Sequence, residues 1–211
     1  MSDITIPQLT DWMTRFQASV VEHQSELTEL DSVIGDADHG VNMVRGMDAV
    51  VAKLAGEAPA TVADLFKTVG MTLVTSVGGA SGPLYGTFFL RVGMSGGAVD
   101  SLTTEELGAA LRAGLGGIEA RGKAVVGDKT MVDALEPAVV AWEEAARGGA
   151  SAADAAESAW VAAETGRDST FPLVARKGRA SYLGERSADH LDPGATSAAL
   201  LLRALADALG S

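Results

Sequence analysis

Apolar residues return at steps of three, four or seven along most of this chain, and the strict alternation of a half-buried strand is almost absent. Leu9, Met13, Phe16, Val20, Leu27 and Leu30 mark one face of a first helix that ends near a cluster of aspartates, and Met43, Met47, Val50 and Leu54 mark a second. The "GEAP" at 56–59 stops the second helix, and Thr61 with Asp64 caps a third. Leu84 to Gly93 reads as a fourth after Pro83, and Thr103 with Glu106 forms a capping box for a fifth running to near Arg121. Thr130 to Arg147 is helical in composition, with Pro137 either kinking it or opening a fresh helix. Ser151 to Thr165 is alanine-rich and helical, Thr170 to Lys177 reads as a short turn, and Asp192 with Pro193 caps and opens a last helix. The tally of about eight helices predicts an all-α fold, an antiparallel bundle whose Gly-rich and polar connections can gather into one site. With no repeat, linker or internal boundary, one domain spanning residues 1–211 is expected.

Composition agrees with close helix packing: hydrophobic residues make up 47% of the chain but aromatics only 5%, so the apolar surface is mostly Ala, Leu and Val. Thr68 to Leu90 carries no charge and is long enough to cross a bilayer, but Gly70, Gly78, Gly79, Gly82, Pro83 and Gly86 would leave backbone groups unpaired in lipid. Two buried helices joined by a glycine-rich turn are expected there. The formal charge of −12, with no basic run to track a phosphate backbone, argues against nucleic acid and anionic membrane as partners. A small phosphorylated ligand would need local cations. The absence of cysteine removes disulfides and thiol chemistry, and the N-terminus has no basic start followed by an apolar run, so a cytoplasmic protein is expected.

Against that background, "LDSVIGDADHGVNM" at 30–43 places Asp31, Asp36 and Asp38 within eight positions. Like charges so close repel unless cations neutralise them, and hard carboxylate oxygens shared with substrate phosphates suit Mg²⁺. The alternative is that Asp38 caps the next helix while Asp31 and Asp36 are solvated turn residues. A calcium loop does not fit, because the twelfth position from Asp36 is Met47, and a phosphatase Asp-x-Asp does not fit because a helix precedes it. His39, Gly40 and Asn42 follow at a helix N-terminus, where free N–H groups favour an anion, although a histidine beside carboxylates is commonly a salt-bridge partner.

Three further stretches carry polar loops. "GGASGPLYG" at 78–86 permits close approach of backbone to a phosphate or a flat base, or else is a tight interhelical turn. "GDKTM" at 127–131 is a polar turn that can meet a nucleotide, equally explained by an N-cap at Thr130. Arg176, Lys177, Arg179 and Arg186 concentrate positive charge before the last helix, as phosphate ligands or as partners of surface acids. "GIEARGKA" at 117–124 mimics a P-loop but ends in Ala where Ser or Thr must hold Mg²⁺, and it leaves a helix instead of a strand.

In order along the chain, "GDADHGVNM", "GGASGPLYGT", "GDKTMVDAL" and "GRASYLGERSADHLDPGATS" resemble the nucleotide-binding L subunit of dihydroxyacetone kinase, the DhaL or DAK2 family. The resemblance implies an eight-helix barrel with ADP or ATP at one end and two Mg²⁺ ions held by Asp31, Asp36 and Asp38. It implies that His39, Gly40, Val41, Asn42, Ala80 and Ser81 line the nucleotide. Gly122, Met131, Arg179, Asp192, Pro193 and Gly194 would complete the pocket, with Arg179 also a candidate catalytic residue. It further implies a half-enzyme: a K subunit holds dihydroxyacetone, and a phosphotransferase-system protein recharges the ADP. A homodimer stays open, as do a same-fold kinase for another ketose or a fatty acid and a non-catalytic, nucleotide-loaded regulatory module. One departure is visible: the family usually has Gly where this chain has Ala37, so that turn must avoid positive φ or bear strain.

Overall fold

The computed structural model describes residues 3–56 and 58–210. Nine α-helices occur among these residues: α1 Ile6–Glu22, α2 Gln24–Ile34, α3 His39–Gly56, α4 Val62–Ser76, α5 Ser81–Gly96, α6 Thr104–Gly122, α7 Met131–Arg147, α8 Ala152–Ser169 and α9 Pro193–Leu209. A 3-10 segment, Arg179–Ser187, precedes α9. Strands β1 Ile4–Thr5 and β2 Ser101–Leu102 pair antiparallel, Ile4 opposite Leu102.

The expected starts are where the chain's chemistry puts them. The side chains of Thr61, Thr103, Thr130, Ser151 and Asp192 each accept a hydrogen bond from a backbone N–H in the first turn of the helix that follows. The one long helix expected over Leu9 to Leu30 is two helices. Its apolar spacing continues, but His23 sits at φ −96°, ψ 14°, and both its N–H and its ring Nδ1 turn back to the Ser19 carbonyl. Pro137 does not open a fresh helix, since α7 runs through it.

Helix packing closes a ring. In the order α1, α3, α4, α5, α6, α7, α8, α9 and back to α1, each helix packs on the next, while α2 lies outside it against α3, α9 and the 3-10 segment. The expected eight-helix barrel is therefore this ring, with α2 as an added arm. Inside it Trp12 meets Phe66 and Phe89 edge-on at 5.8 Å, and the indole N–H groups of Trp12 and Trp142 donate to the carbonyls of Leu201 and Thr104. Arg112 of α6 bridges Glu136 and Glu143 of α7 at 2.7 and 2.8 Å.

Alternate connections sit at opposite ends, as up-and-down helices require. The loops after α3 and α5 meet at one end, where Val62 N–H donates to the Val99 carbonyl and Ile6 N–H to Asp100 beside the β1–β2 pair. The connections at 35–38, 77–80, 123–130 and 170–192 contribute to one cavity at the other end. The uncharged stretch is α4, a turn and α5, and among the described residues no helix is long and apolar enough to cross a membrane.

The α4–α5 contact depends on missing side chains. A Cβ on Gly70 would stand 2.8 Å from the Gly86 carbonyl oxygen and 3.0 Å from the Leu90 nitrogen, backbone atoms that cannot swing away. Gly70→Ala gains up to about 1 kcal/mol of helix propensity, but forcing the helices apart costs about 1–3 kcal/mol. The clash wins: urea denaturation should show a net loss of stability, and a gain would mean that the two helices are not held this close.

Candidate functional site

Asp31 lies on the last turn of α2, and its carboxylate folds over the end of the helix. Its Oδ2 accepts the N–H groups of Asp38 at 2.8 Å and His39 at 3.1 Å, tying the end of α2 to the start of α3. Gly35 makes room for this, since a Cβ there would fall 1.9 Å from Asp31 Oδ1. Asp31 is buried, Asp38 half-buried and Asp36 exposed, and one carboxylate oxygen from each lies within 4.8 Å of the others. This donor set of hard, closely spaced oxygens fits Mg²⁺, which typically takes one or two carboxylates together with phosphate oxygens.

Between Asp36 and Asp38 the chain turns through Ala37 at φ +62°. The strain anticipated for a residue with a Cβ is present, and it falls between two of the three carboxylates. Across the mouth, Arg179 at the head of the 3-10 segment reaches Asp36 at 3.0 Å, although its side chain stays largely exposed. An exposed pair of this kind contributes about 0–1 kcal/mol.

His39 opens α3 and points inward. Its Nδ1 is hydrogen-bonded to the Ser81 hydroxyl at 3.1 Å and its Nε2 to Ser197 at 2.9 Å, and Ser197 in turn meets the Tyr85 hydroxyl at 2.8 Å. Burial lowers the His39 pKa, against the opposing pull of Asp31 and Asp38. Burial likewise pushes the Tyr85 phenol upward, which keeps it a neutral hydroxyl. Asp192 caps α9, its Oδ2 accepting the Ala195 N–H at 2.7 Å. Burial raises its carboxyl to about 7, with Asp133 adding to the rise while the Ala195 N–H and Lys129 oppose it.

These groups face a cavity of about 420 Å³. Asp31, Asp36, Asp38, His39, Ala80, Ser81, Gly122, Met131, Arg179, Asp192, Pro193 and Gly194 all line it, so segments separated by up to 163 positions, from 31 to 194, converge. Gly40, Val41 and Asn42 do not line it. Gly40 is a packing residue, because a Cβ would meet the Gln24 carbonyl at 2.2 Å where α3 crosses α2. Val41 faces outward, and Asn42 is buried with its Oδ1 bonded to Arg45. Helical geometry turns Gly40 and Val41 away, since successive residues of α3 point about 100° apart, whereas Asn42 shares the side of His39 one turn deeper and is engaged by Arg45.

Leu84, Ile118, Ala124 and Val132, which add an apolar wall, and Arg121, which adds a cation, were not singled out in the sequence as site residues. Lys177 of the basic stretch adds a second cation, and Lys129 of the polar turn lies buried beneath. Arg176 and Arg186, from the basic stretch, are exposed and outside the cavity lining. Helical spacing marks Ile118 as inward-facing, but nothing local tells a core position from a cavity wall.

Fold and site together define a helical-barrel protein with an acidic, loop-built cavity at one end, polar on the aspartate side and lined elsewhere by apolar side chains. The chain belongs to the DAK2 domain family, whose pattern matches residues 33–207. It is 48% identical over 199 residues to the PEP-dependent dihydroxyacetone kinase, ADP-binding subunit DhaL, of Escherichia coli strain K12, covering 94% of this chain and 95% of that protein. It is 44% identical over 202 residues to the PTS-dependent dihydroxyacetone kinase, ADP-binding subunit DhaL, of Lactococcus lactis, covering 96% and 97%. The crystal structure of the dihydroxyacetone kinase from C. freundii in complex with AMP-PNP and Mg²⁺ superimposes with a TM-score of 0.72 at 27% identity, covering 94% of this chain and 33% of that one. This chain thus spans about a third of that enzyme's length.

The strained turn gives a test. A left-handed residue with a Cβ costs about 1–2 kcal/mol, and glycine gives back part of the relief as chain entropy. Ala37→Gly should therefore stabilise the protein by about 0.5–1 kcal/mol, read as a higher denaturant midpoint with an unchanged slope. A lower midpoint would show that the turn does not hold this conformation in solution.

Proposed function

We propose that this chain is the nucleotide-binding, phosphoryl-transfer subunit of a dihydroxyacetone kinase. As a single domain it holds ADP or ATP with two Mg²⁺ ions and passes phosphate to dihydroxyacetone on a separate K subunit. Phosphate arrives from a phosphoenolpyruvate-derived donor protein of the phosphotransferase system, in the cytoplasm, and the subunit is open to homodimer formation. The observation that carries this reading is the convergence of three carboxylates, a glycine-rich turn and Arg179 on one cavity that also has an apolar wall. Kinase subunits of closely similar length and 44–48% identity support it.

Phosphoryl transfer asks a protein for positioning and charge compensation more than for covalent chemistry. Bound Mg²⁺ supplies the positive charge that lets phosphate oxygens approach three aspartates and polarises the phosphoryl group. The chain's own residues do the rest. Asp31, clamped by two backbone N–H groups, fixes the cluster; Asp36 and Asp38 complete it from the strained turn. The Ser81 hydroxyl, hydrogen-bonded to His39, lies at the start of α5, where free backbone N–H groups favour an anion. Arg179 stands over the same cluster with a planar guanidinium suited to a phosphoryl group. Leu84, Ile118 and Met131 offer a flat base an apolar slot away from water.

Asp36→Asn tests this with little risk to the fold, because Asp36 is exposed and its partner Arg179 largely so. Assayed with the K subunit, dihydroxyacetone and the phosphoryl donor, the variant should lose at least about 100-fold in rate with an unaltered circular dichroism spectrum. A rate near wild type would refute the assignment of the carboxylates.

A further inference from the structure

Lys129 is almost completely buried in a protein of net charge −12, and it is the residue of the "GDKTM" turn whose role the kinase chemistry leaves unassigned. Its backbone is left-handed, φ +62°, a conformation that a lysine adopts only where the surroundings impose it. Its ammonium donates to the Thr170 carbonyl at 2.7 Å, to Phe171 at 3.4 Å and to His190. An ammonium has three donors, and here they are met by three backbone carbonyls. Burial pulls the Lys129 pKa down, and Asp192, Asp189 and Asp133 oppose that pull.

Those carbonyls lie at the two ends of the segment 171–191, which carries Lys177, Gly178, Arg179 and Ala180 of the cavity wall and leads directly into Asp192, Pro193 and Gly194. The surrounding bonds reinforce the same closure. Arg176 N–H donates to the Asp128 carbonyl at 3.0 Å, and Asp192 N–H to the Thr170 hydroxyl at 3.1 Å. Within the segment, Ala175 N–H meets Ser187 Oγ at 2.8 Å, and Ala175 and Ala180 pack with Ile34 of α2 in a small cluster separate from the main core. The segment therefore has little apolar burial of its own to hold it, and its ends are pinned to the α6–α7 connection by one side chain.

We propose that Lys129 is the positioning residue of the nucleotide site: by clamping both ends of segment 171–191 it sets Arg179 and the Asp192–Gly194 turn at working distance from the aspartate cluster. It acts through those residues. The inference rests on the nucleotide-binding reading for its functional consequence, but the clamp itself is testable without any ligand.

The experiment compares wild type with Lys129→Met, which keeps the stem and removes the donors. Amide hydrogen exchange is followed without nucleotide, and Mg²⁺–ADP is then titrated calorimetrically. In the wild type, amides across 171–191 should open as one cooperative unit. In the variant they should exchange at least about tenfold faster while α4, α5 and α6 keep their protection. ADP affinity should fall by about tenfold or more with the stoichiometry unchanged. Unchanged exchange in the segment, uniformly faster exchange throughout the ring, or a lower stoichiometry at unchanged affinity would each overturn the proposal, the last two because they mark general destabilisation. Should Lys129→Met not fold, the wild-type profile decides alone: independent openings along 171–191 would overturn the clamp. Failure of wild type to bind ADP at all would instead count against the nucleotide reading and leave the exchange result to judge Lys129.

Discussion

Three carboxylates held within 4.8 Å, in a chain that already carries twelve excess negative charges, set the terms for everything around them. At such a separation two like charges repel by roughly 3 kcal/mol or more at an effective dielectric constant near 20. The exposed pair between Asp36 and Arg179 offsets at most about 1 kcal/mol of this, and the two N–H groups on Asp31 fix a geometry without removing charge. On the proposed reading, a divalent cation supplies the missing compensation. A rigid frame is needed to hold such a site ready, and the closed ring of helices supplies it.

The ring also explains why the chemistry is at one end. Helices that alternate in direction deliver every second connection to the same mouth, so a short turn after α4, a loop after α6 and a long segment after α8 face one another although they are far apart in the chain. The helix α2, outside the ring, adds the remaining ingredient by bringing Asp31 over that mouth. At the opposite end the connections are closed off by the β1–β2 pair and the bonds around Val99 and Asp100.

Much of this was legible in the residues. Caps at Thr61, Thr103, Thr130 and Asp192 announced helix starts, because a cap is a local bond between residues a few positions apart. The aspartate spacing pointed, from local chemistry, to a metal-like cluster or to solvated turn residues; the family resemblance marked Ala37 as a turn that avoids positive φ or bears strain, and the structure has the second. What could not be read depended on distant partners. The break at His23 has no glycine or proline to mark it, and α2 departs there to reach α3 and α9. Gly40 looked like part of an anion site, and is a contact between helices. Lys129 looked like a loop lysine, because the three carbonyls that bury it come from 41 to 61 positions away.

The central claim is that divalent cations join the aspartate cluster to a nucleotide's diphosphate. It is tested most directly by calorimetric titration of ADP into the purified chain, once with excess Mg²⁺ and once in chelator at matched ionic strength. The account predicts one tight site with Mg²⁺ and affinity at least about 100-fold weaker without it, since the diphosphate would then face uncompensated carboxylates. Equal affinity in the two titrations would contradict it.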